Sequence, residues 1–103
     1  MESGLFVNWL MAIYEITNNE QNMRFELKLD GQVAFLEYRY KKGNIALMHT
    51  EVPPALEGKG LGSALAKYAF QFASEKQLPV LVYCPFVATF LKRHPEYMKQ
   101  VVS

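Results

Sequence analysis

The sequence is poor in cysteine, in net charge and in long apolar runs, and each shortage argues against a class of protein. The single cysteine, Cys84, rules out an internal disulfide framework and suits a reducing compartment. The net charge is +1 with both signs interspersed, which argues against nucleic acid or an anionic membrane as the main partner, since phosphate binding needs a basic excess. No apolar run approaches the roughly 18 residues of a membrane span.

The first residues also lack the pattern of a secretory signal. The apolar run from Leu5 to Tyr14 is interrupted by an asparagine and has neither a basic flank nor a small-residue cleavage pattern. Met11 is an alternative start codon, so residues 1–11 are interpreted as an N-terminal extension and residues 12–103 as a single folded domain. We therefore expect a cytoplasmic protein.

The first half of the chain has a succession of short strand patterns. Strands are predicted over residues 12–17, 23–29 and 32–41, and the Asp30-Gly31 pair before the third of these is a strong hairpin signal. In the second of these strands every other residue is polar, which predicts one water-facing side. A fourth strand over 45–52 begins apolar on both faces, which suggests a central place in the sheet, and two prolines end it.

The second half of the chain alternates helix and strand. Apolar residues recur at helical spacing and predict a helix over 61–76, followed by a short apolar strand over 80–84 of the kind that is usually buried beside a parallel neighbour. A second helix is predicted over 86–94, because a proline follows it. The order of elements predicts an α+β fold: an antiparallel meander that ends in one parallel strand pair.

Three glycines alternate just before the first helix, at Gly58, Gly60 and Gly62. A dinucleotide fingerprint would need glycine where Ser63 stands, and no second βαβ unit follows. A nucleoside-triphosphate loop would need lysine after the second glycine, but Lys59 precedes it. A turn that only starts a helix would need one glycine, since each costs backbone entropy. The remaining interpretation is a cradle of backbone N–H groups that holds a diphosphate at the helix N-terminus.

The stretch EGKGLG, between strand and helix, resembles the acyl-CoA-binding motif of the GNAT N-acetyltransferase superfamily. Three further pieces, at His49–Pro54, Tyr83–Phe90 and His94–Tyr97, resemble a subfamily of very small GNAT-like proteins, and the resemblance as a whole covers about residues 12–102. The resemblance implies a GNAT-like mixed sheet with a splayed parallel strand pair, and acetyl transfer from acetyl-CoA to an unidentified amine. One departure is Glu57, where most members of the superfamily carry glutamine or arginine.

The resemblance also implies which residues would touch coenzyme A. The glycine loop would hold the diphosphate, and the fourth strand would pair with the pantetheine arm as with an added strand. The predicted coenzyme-binding residues are Thr50, Val52, Gly58, Lys59, Gly60, Leu61, Gly62, Ser63, Phe86 and Phe90. The two phenylalanines are interpreted as packing against the coenzyme arm or the core. The basic run Lys92–His94 is interpreted as a solvated helix end or as a partner for the 3′-phosphate.

Three side chains near the splayed strands are candidate catalytic groups. Histidine is the residue type whose charge changes between pH 5 and 8, so His49 is the candidate base, and Glu51 would orient it or act as the base itself. Strict alternation predicts that both share a face with Leu47, and that Thr50 lies on the other face. Cys84 would give a proton to the leaving thiolate or accept the acyl group as a nucleophile, or would be an inert buried thiol. The structural alternatives for the other two are a hydrogen-bonded histidine and a solvated carboxylate.

Hypotheses from different classes remain open at this point. The first is an N-acetyltransferase with a small-molecule or protein amine as acceptor. The second is a CoA- or acyl-CoA-binding module with little catalysis, since the chain lacks the extra N-terminal helices that usually wall a GNAT acceptor site. A plain structural domain is the third. No metal, nucleic acid or membrane partner is expected, and the protein is expected to be a monomer or a weak homodimer.

Overall fold

The computed structural model describes residues 14–102, so the interpretation of residues 1–11 as an extension lies outside the described residues. Five strands form one sheet in the order of the chain, with antiparallel pairs from β1 to β4 and a parallel pair between β4 and β5. The strands are β1 Ile16–Asn19, β2 Arg24–Leu29, β3 Gln32–Lys41, β4 Asn44–Glu51 and β5 Val80–Val82; the α-helices are α1 Leu61–Glu75 and α2 Pro85–Arg93. Short 3₁₀ turns cover Pro54–Leu56 and Pro95–Gln100. The predicted α+β fold, with a β-α-β-α unit after the meander, is confirmed.

The hydrophobic core lies between the sheet and the two helices. Phe25 of β2 stacks on Tyr38 of β3, with ring centroids 4.6 Å apart, and meets Phe72 of α1 edge-on at 5.2 Å. The second helix joins the same core through Phe90, whose ring stacks on Phe70 of α1 at 6.3 Å. The first turn of each helix lies beside the C-terminal end of β4, and that end of the sheet carries the candidate site.

The first strand differs from its prediction. It was expected over 12–17, with the following polar residues as a turn, but the ladder runs from Ile16 to Asn19. Asn18 accepts a hydrogen bond from the Tyr38 hydroxyl at 2.7 Å, and the Asn19 amide donates to Glu26 at 3.0 Å. The two asparagines fit within the strand because neighbouring strands satisfy their side chains.

The predicted water-facing side of β2 was also wrong in part. Glu26 is only 7% exposed, because it accepts hydrogen bonds from Arg24 at 2.7 Å and from Asn19 at 3.0 Å. Burial alone would raise the pKa of the Glu26 carboxyl, but these hydrogen bonds and the Arg24 charge outweigh it and lower that pKa. The Arg24 guanidinium also lies over the Phe35 ring, 4.5 Å from its centroid, so a small polar cluster covers this part of the sheet.

The fifth strand ends earlier than predicted, at Val82 rather than at residue 84. The N–H groups of Tyr83 and Cys84 both donate to the Leu47 carbonyl, at 2.9 and 3.0 Å, and the backbone ladder between β4 and β5 stops there. The chain then enters α2 at Pro85, while β4 continues to Glu51. This divergence, called the strand fork below, leaves the C-terminal part of β4 without a backbone partner on its β5 side within residues 14–102.

Candidate functional site

A groove of about 640 Å³ lies at the strand fork, between the end of β4, the loop before α1 and the first turns of both helices. It contains ten of the thirteen residues that the sequence singled out for catalysis or coenzyme binding, the exceptions being Lys59, Cys84 and Phe90. The described lining residues are His49, Thr50, Glu51, Val52, Pro54, Leu56, Glu57, Gly58, Gly60, Leu61, Gly62, Ser63, Phe86 and Arg93.

The loop before α1 needs glycine at two positions for its backbone. Gly58 and Gly60 have φ of +83° and +76°, and a Cβ atom at either would meet nothing within 4 Å. The requirement is therefore conformational, since L-residues avoid this region, and the space beside both glycines is open. This side of the loop can accept a bound group.

The N-terminus of α1 presents unpaired donors to that space. Gly60 is its N-cap, no side chain caps the helix, and the first intrahelical bond runs from Ala64 N–H to the Gly60 carbonyl at 3.0 Å. Within residues 14–102 the N–H groups of Leu61, Gly62 and Ser63 have no acceptor. Unpaired N–H groups at the positive end of a helix form a site for an anion, and a phosphate group suits it best.

The third of the alternating glycines, Gly62, is required for a steric reason rather than for its backbone conformation. Gly62 lies inside the helix, and a Cβ atom there would be 2.5 Å from Cζ of Phe86. The Phe86 ring, 42% exposed at the first turn of α2, packs directly on the Gly62 backbone. Position 62 therefore requires glycine because the Phe86 ring leaves no room for a side chain. The Gly62 N–H still belongs to the set of unpaired donors. The sequence pattern did not separate these two roles.

A β-bulge in β4 determines on which face of the sheet each side chain beside the groove lies. Tyr38 lies opposite Leu47 and Glu37 lies opposite His49, so Met48 is an extra residue without a partner on β3. Opposed residues of an antiparallel pair share a face of the sheet. Side chains on either side of the bulge therefore follow different alternations.

The bulge makes one prediction wrong. Thr50 lies opposite the buried Leu36, so it faces the helices, and His49 and Glu51 face the other side. They do not share a face with Leu47, as strict alternation along the strand had predicted. The groove bends around the free edge of β4, with the histidine and the glutamate on one side and the threonine on the other.

His49 and Glu51 are in contact. Nε2 of His49 is 2.9 Å from Oε1 of Glu51, and the two side chains are 56% and 61% exposed. Because a carboxylate only accepts hydrogen bonds, this contact places the proton of a neutral ring on Nε2 and leaves Nδ1 as the basic nitrogen. The arrangement suits a proton acceptor at the open side of the fork. The predicted orienting contact is present, and the catalytic role stays a prediction.

Thr50 and Cys84 touch across the fork on the helix side. The Thr50 hydroxyl and the Cys84 thiol are 3.2 Å apart, and Cys84 is 1% exposed. Of these two residues, only Thr50 lines the groove. The thiol can therefore reach a bound group only through the hydroxyl, and direct nucleophilic attack by Cys84 is not favoured by its burial.

Two predicted coenzyme-binding residues lie outside the groove, and one residue of the basic run lines it. Phe90 is 3% exposed and stacks on Phe70, so it belongs to the core rather than the groove. Lys59 accepts a hydrogen bond at its carbonyl from the Tyr14 hydroxyl, at 2.7 Å, and does not line the groove. Of the basic run after α2, Arg93 alone lines the groove. Its spacing of seven residues from Phe86 would have identified this shared helix face.

Comparison with known proteins assigns the chain to a family. The model of the GCN5-related N-acetyltransferase family matches residues 24–101. The chain belongs to this family. The GCN5-related match covers nearly all of the residues that the structure describes, from β2 to the last 3₁₀ turn, so the site lies wholly inside the family domain.

Relatives and a solved structure agree with this assignment. The chain is similar to protein NATD1 of Danio rerio, at 32% identity over an alignment of 92 residues, with 84% of each protein covered. It is 31% identical to NATD1 of Homo sapiens over 91 residues, covering 84% of this chain and 80% of that protein. A GCN5-like protein from Staphylococcus aureus, solved by NMR, superposes with a TM-score of 0.69 at 27% identity, covering 86% of this chain and 88% of the other.

Two further observations on the described residues concern metal ligands and membrane-spanning helices. Between residues 14 and 102, no three His, Cys, Asp or Glu side chains are grouped closely enough to hold a metal ion. No helix in the same range combines the length and the apolar character needed to cross a membrane.

Proposed function

We propose that this GCN5-related domain transfers an acetyl group from acetyl-CoA to an amine. One observation carries the proposal: the groove joins an anion-binding helix N-terminus to the free edge of a β-strand. A diphosphate with an extended amide chain attached matches both surfaces, and coenzyme A is such a molecule. The likeness to other GCN5-related proteins supports the same reaction class.

The proposed coenzyme contacts follow from the groove. The N–H groups from Leu61 to Ser63 would hold the diphosphate, with Gly58 and Gly60 giving the backbone room to approach it. The free edge of β4 beyond Leu47 would pair with the amide groups of the pantetheine arm, as with an added strand. Phe86 would pack against this arm. Acetyl-CoA would supply the activated acetyl group as a thioester.

The proposed acceptor side is the face of β4 that carries His49 and Glu51. An amine attacks a thioester only in its neutral form, so a proton acceptor beside it is useful. Nδ1 of His49 would take that proton while Glu51 holds the ring through Nε2 at 2.9 Å. On the helix side the Thr50 hydroxyl, which contacts Cys84, would donate a hydrogen bond to the leaving thiolate and so stabilise its negative charge. The acceptor is proposed to be a small-molecule or protein amine.

Binding of coenzyme A tests the first half of the proposal. Gly60→Ala would disturb the left-handed loop that presents the donors, and we expect its affinity for acetyl-CoA in isothermal titration calorimetry to fall by at least about tenfold, the equivalent of one lost charge-assisted contact. Gly43→Ala is the matched control, because Gly43 also has a positive φ, of +82°, and open space around it. Equal loss in both variants, or no binding by the wild type, would contradict the proposal.

Acetyl transfer to a panel of amines tests the second half. His49→Ala and Glu51→Gln are expected to lower kcat by about 10²–10⁴-fold for the histidine and by less for the glutamate, while acetyl-CoA still binds. His94→Ala is the control, since this other histidine stacks on Phe90 at 4.5 Å and does not line the groove. Coenzyme binding without transfer to any amine would favour the second hypothesis, a CoA-binding module. The wide exposure of the His49–Glu51 pair is the feature that keeps this hypothesis open.

A further inference from the structure

The groove is nearly devoid of positive charge along its described lining. Glu51 and Glu57 are acidic, and the only permanently charged cation in that lining is Arg93. Arg93 is exposed and makes no ion pair within residues 14–102. A guanidinium group that faces a groove without a carboxylate partner is available to bind an anionic group of a ligand.

The position of Arg93 separates it from the donors at the glycine loop. It ends α2, seven residues after Phe86, so the two side chains lie on the same helix face about 10 Å apart along the axis. Phe86 already touches the first turn of α1 at Gly62. The groove therefore offers two anion-binding features, the helix N-terminus and the guanidinium, with an aromatic ring beside the first of them.

We propose that Arg93 binds the 3′-phosphate of coenzyme A and makes the groove select it over dephospho-coenzyme A. The inference rests on the proposed function, because it assumes that the glycine loop takes the diphosphate. The 3′-phosphate is a monoester dianion, and the planar guanidinium group binds such an anion through two parallel hydrogen bonds. The neighbouring Lys92 carries the same charge at the same helix end but does not line the groove.

The test compares two ligands across three proteins. Calorimetric titration with coenzyme A and with dephospho-coenzyme A is carried out on the wild type, Arg93→Gln and Lys92→Gln. We expect the wild type to prefer coenzyme A by about tenfold or more, a preference typical of one charge-assisted pair. Arg93→Gln should bring the ratio close to one and leave the affinity for dephospho-coenzyme A unchanged. Lys92→Gln should keep the wild-type ratio.

The other outcomes overturn the inference and separate it from the proposed function. Equal weakening of both ligands by Arg93→Gln would assign the arginine to the diphosphate instead. An unchanged ratio in Arg93→Gln would show that it has no part in binding. Both results leave the proposed function standing, because the wild type still binds the coenzyme. If neither ligand binds the wild-type protein, the proposed function itself fails.

Discussion

At the residue scale, two carboxylates of the chain have opposite surroundings, since Glu51 is widely exposed and Glu26 is buried. His49 and Glu51 were predicted to meet, and they do so at 2.9 Å. Nothing in the sequence indicated that Glu26 is buried, because its partners come from its own strand and from β1. A carboxylate in an alternating strand is normally solvated, and only the neighbouring strand reveals the exception.

The lowered pKa of Glu26 predicts that part of the protein's unfolding free energy is lost in acid. Its pKa is lowered in the folded protein from the ordinary value of 4.5, so the stabilisation is present above that value and is lost as the pH falls through the lowered one. Glu26→Gln should lower the free energy of unfolding by about 1–3 kcal/mol at pH 7. The difference from the wild type should shrink as the pH falls below 4.5 and through the lowered pKa of Glu26, which chemical denaturation at a series of pH values measures. Glu20→Gln, at an exposed position, serves as the control, and equal stabilities at pH 7 would contradict the prediction.

The close approach of the Phe86 ring to Gly62 predicts that a side chain at position 62 would clash with the ring, and that a smaller residue at position 86 would relieve the clash. Gly62→Ala would place a methyl carbon 2.5 Å from the Phe86 ring, and we expect a loss of about 1–3 kcal/mol in unfolding free energy from overpacking. A second substitution, Phe86→Leu, removes the ring that the new methyl group meets. The double variant should therefore regain a large part of the lost unfolding free energy. Thermal and urea unfolding of both single variants and the double variant measure the coupling. Additive losses would show that the two residues do not conflict.

At the element scale, the two helices and the hairpin of β2 and β3 were predictable, but the bulge in β4 was not. The amphipathic repeat of α1 and the Asp30-Gly31 turn are local signals, and both elements lie within a residue of their predicted bounds. The bulge at Met48 depends on pairing with β3, since an extra residue is defined only against a partner strand. For this reason the sequence placed His49 on the wrong face.

The first turn of α1 predicts a local response to the coenzyme. On addition of coenzyme A, the amide resonances of Leu61, Gly62 and Ser63 should show the largest ¹H–¹⁵N shifts in the protein, because their N–H groups gain acceptors. Those of the Asp30-Gly31 turn should hardly move, since that turn joins β2 and β3 outside the groove. Shifts concentrated elsewhere, with the helix start unaffected, would place the coenzyme at another site.

At the scale of the whole molecule, the topology was predictable because most connections are short. Four strands joined by tight turns give a meander, and one helix between two strands requires a crossover to a parallel neighbour. The closure of the core by the chain's last residues was not predicted. Gln100 donates to the Phe70 carbonyl at 2.9 Å, and Val101 pairs with Val80 of β5. Such contacts join distant segments and carry no periodic signal.

Coenzyme binding should stabilise the whole fold, because the groove uses β4, α1 and α2 together. A ligand at one hundred times its dissociation constant stabilises the folded state by about 2.7 kcal/mol, which raises the Tm of a domain of this size by about 10–20 °C. Differential scanning calorimetry with and without coenzyme A measures the shift. Adenosine alone, which lacks the diphosphate and the pantetheine arm, should give little change, and an equal shift with adenosine would contradict the proposed contacts.

The extra residue at Met48 has a consequence for alignment. A strand with one inserted residue changes phase, so positions 45–47 and 49–51 obey opposite in-and-out rules. Aligning it with an unbulged strand requires a one-residue gap inside the strand, where gaps are rarely placed. Without that gap, the histidine would be matched with a core position and its true counterpart would be missed. Structure-based superposition of β4 is therefore the safer guide to equivalent site residues among relatives.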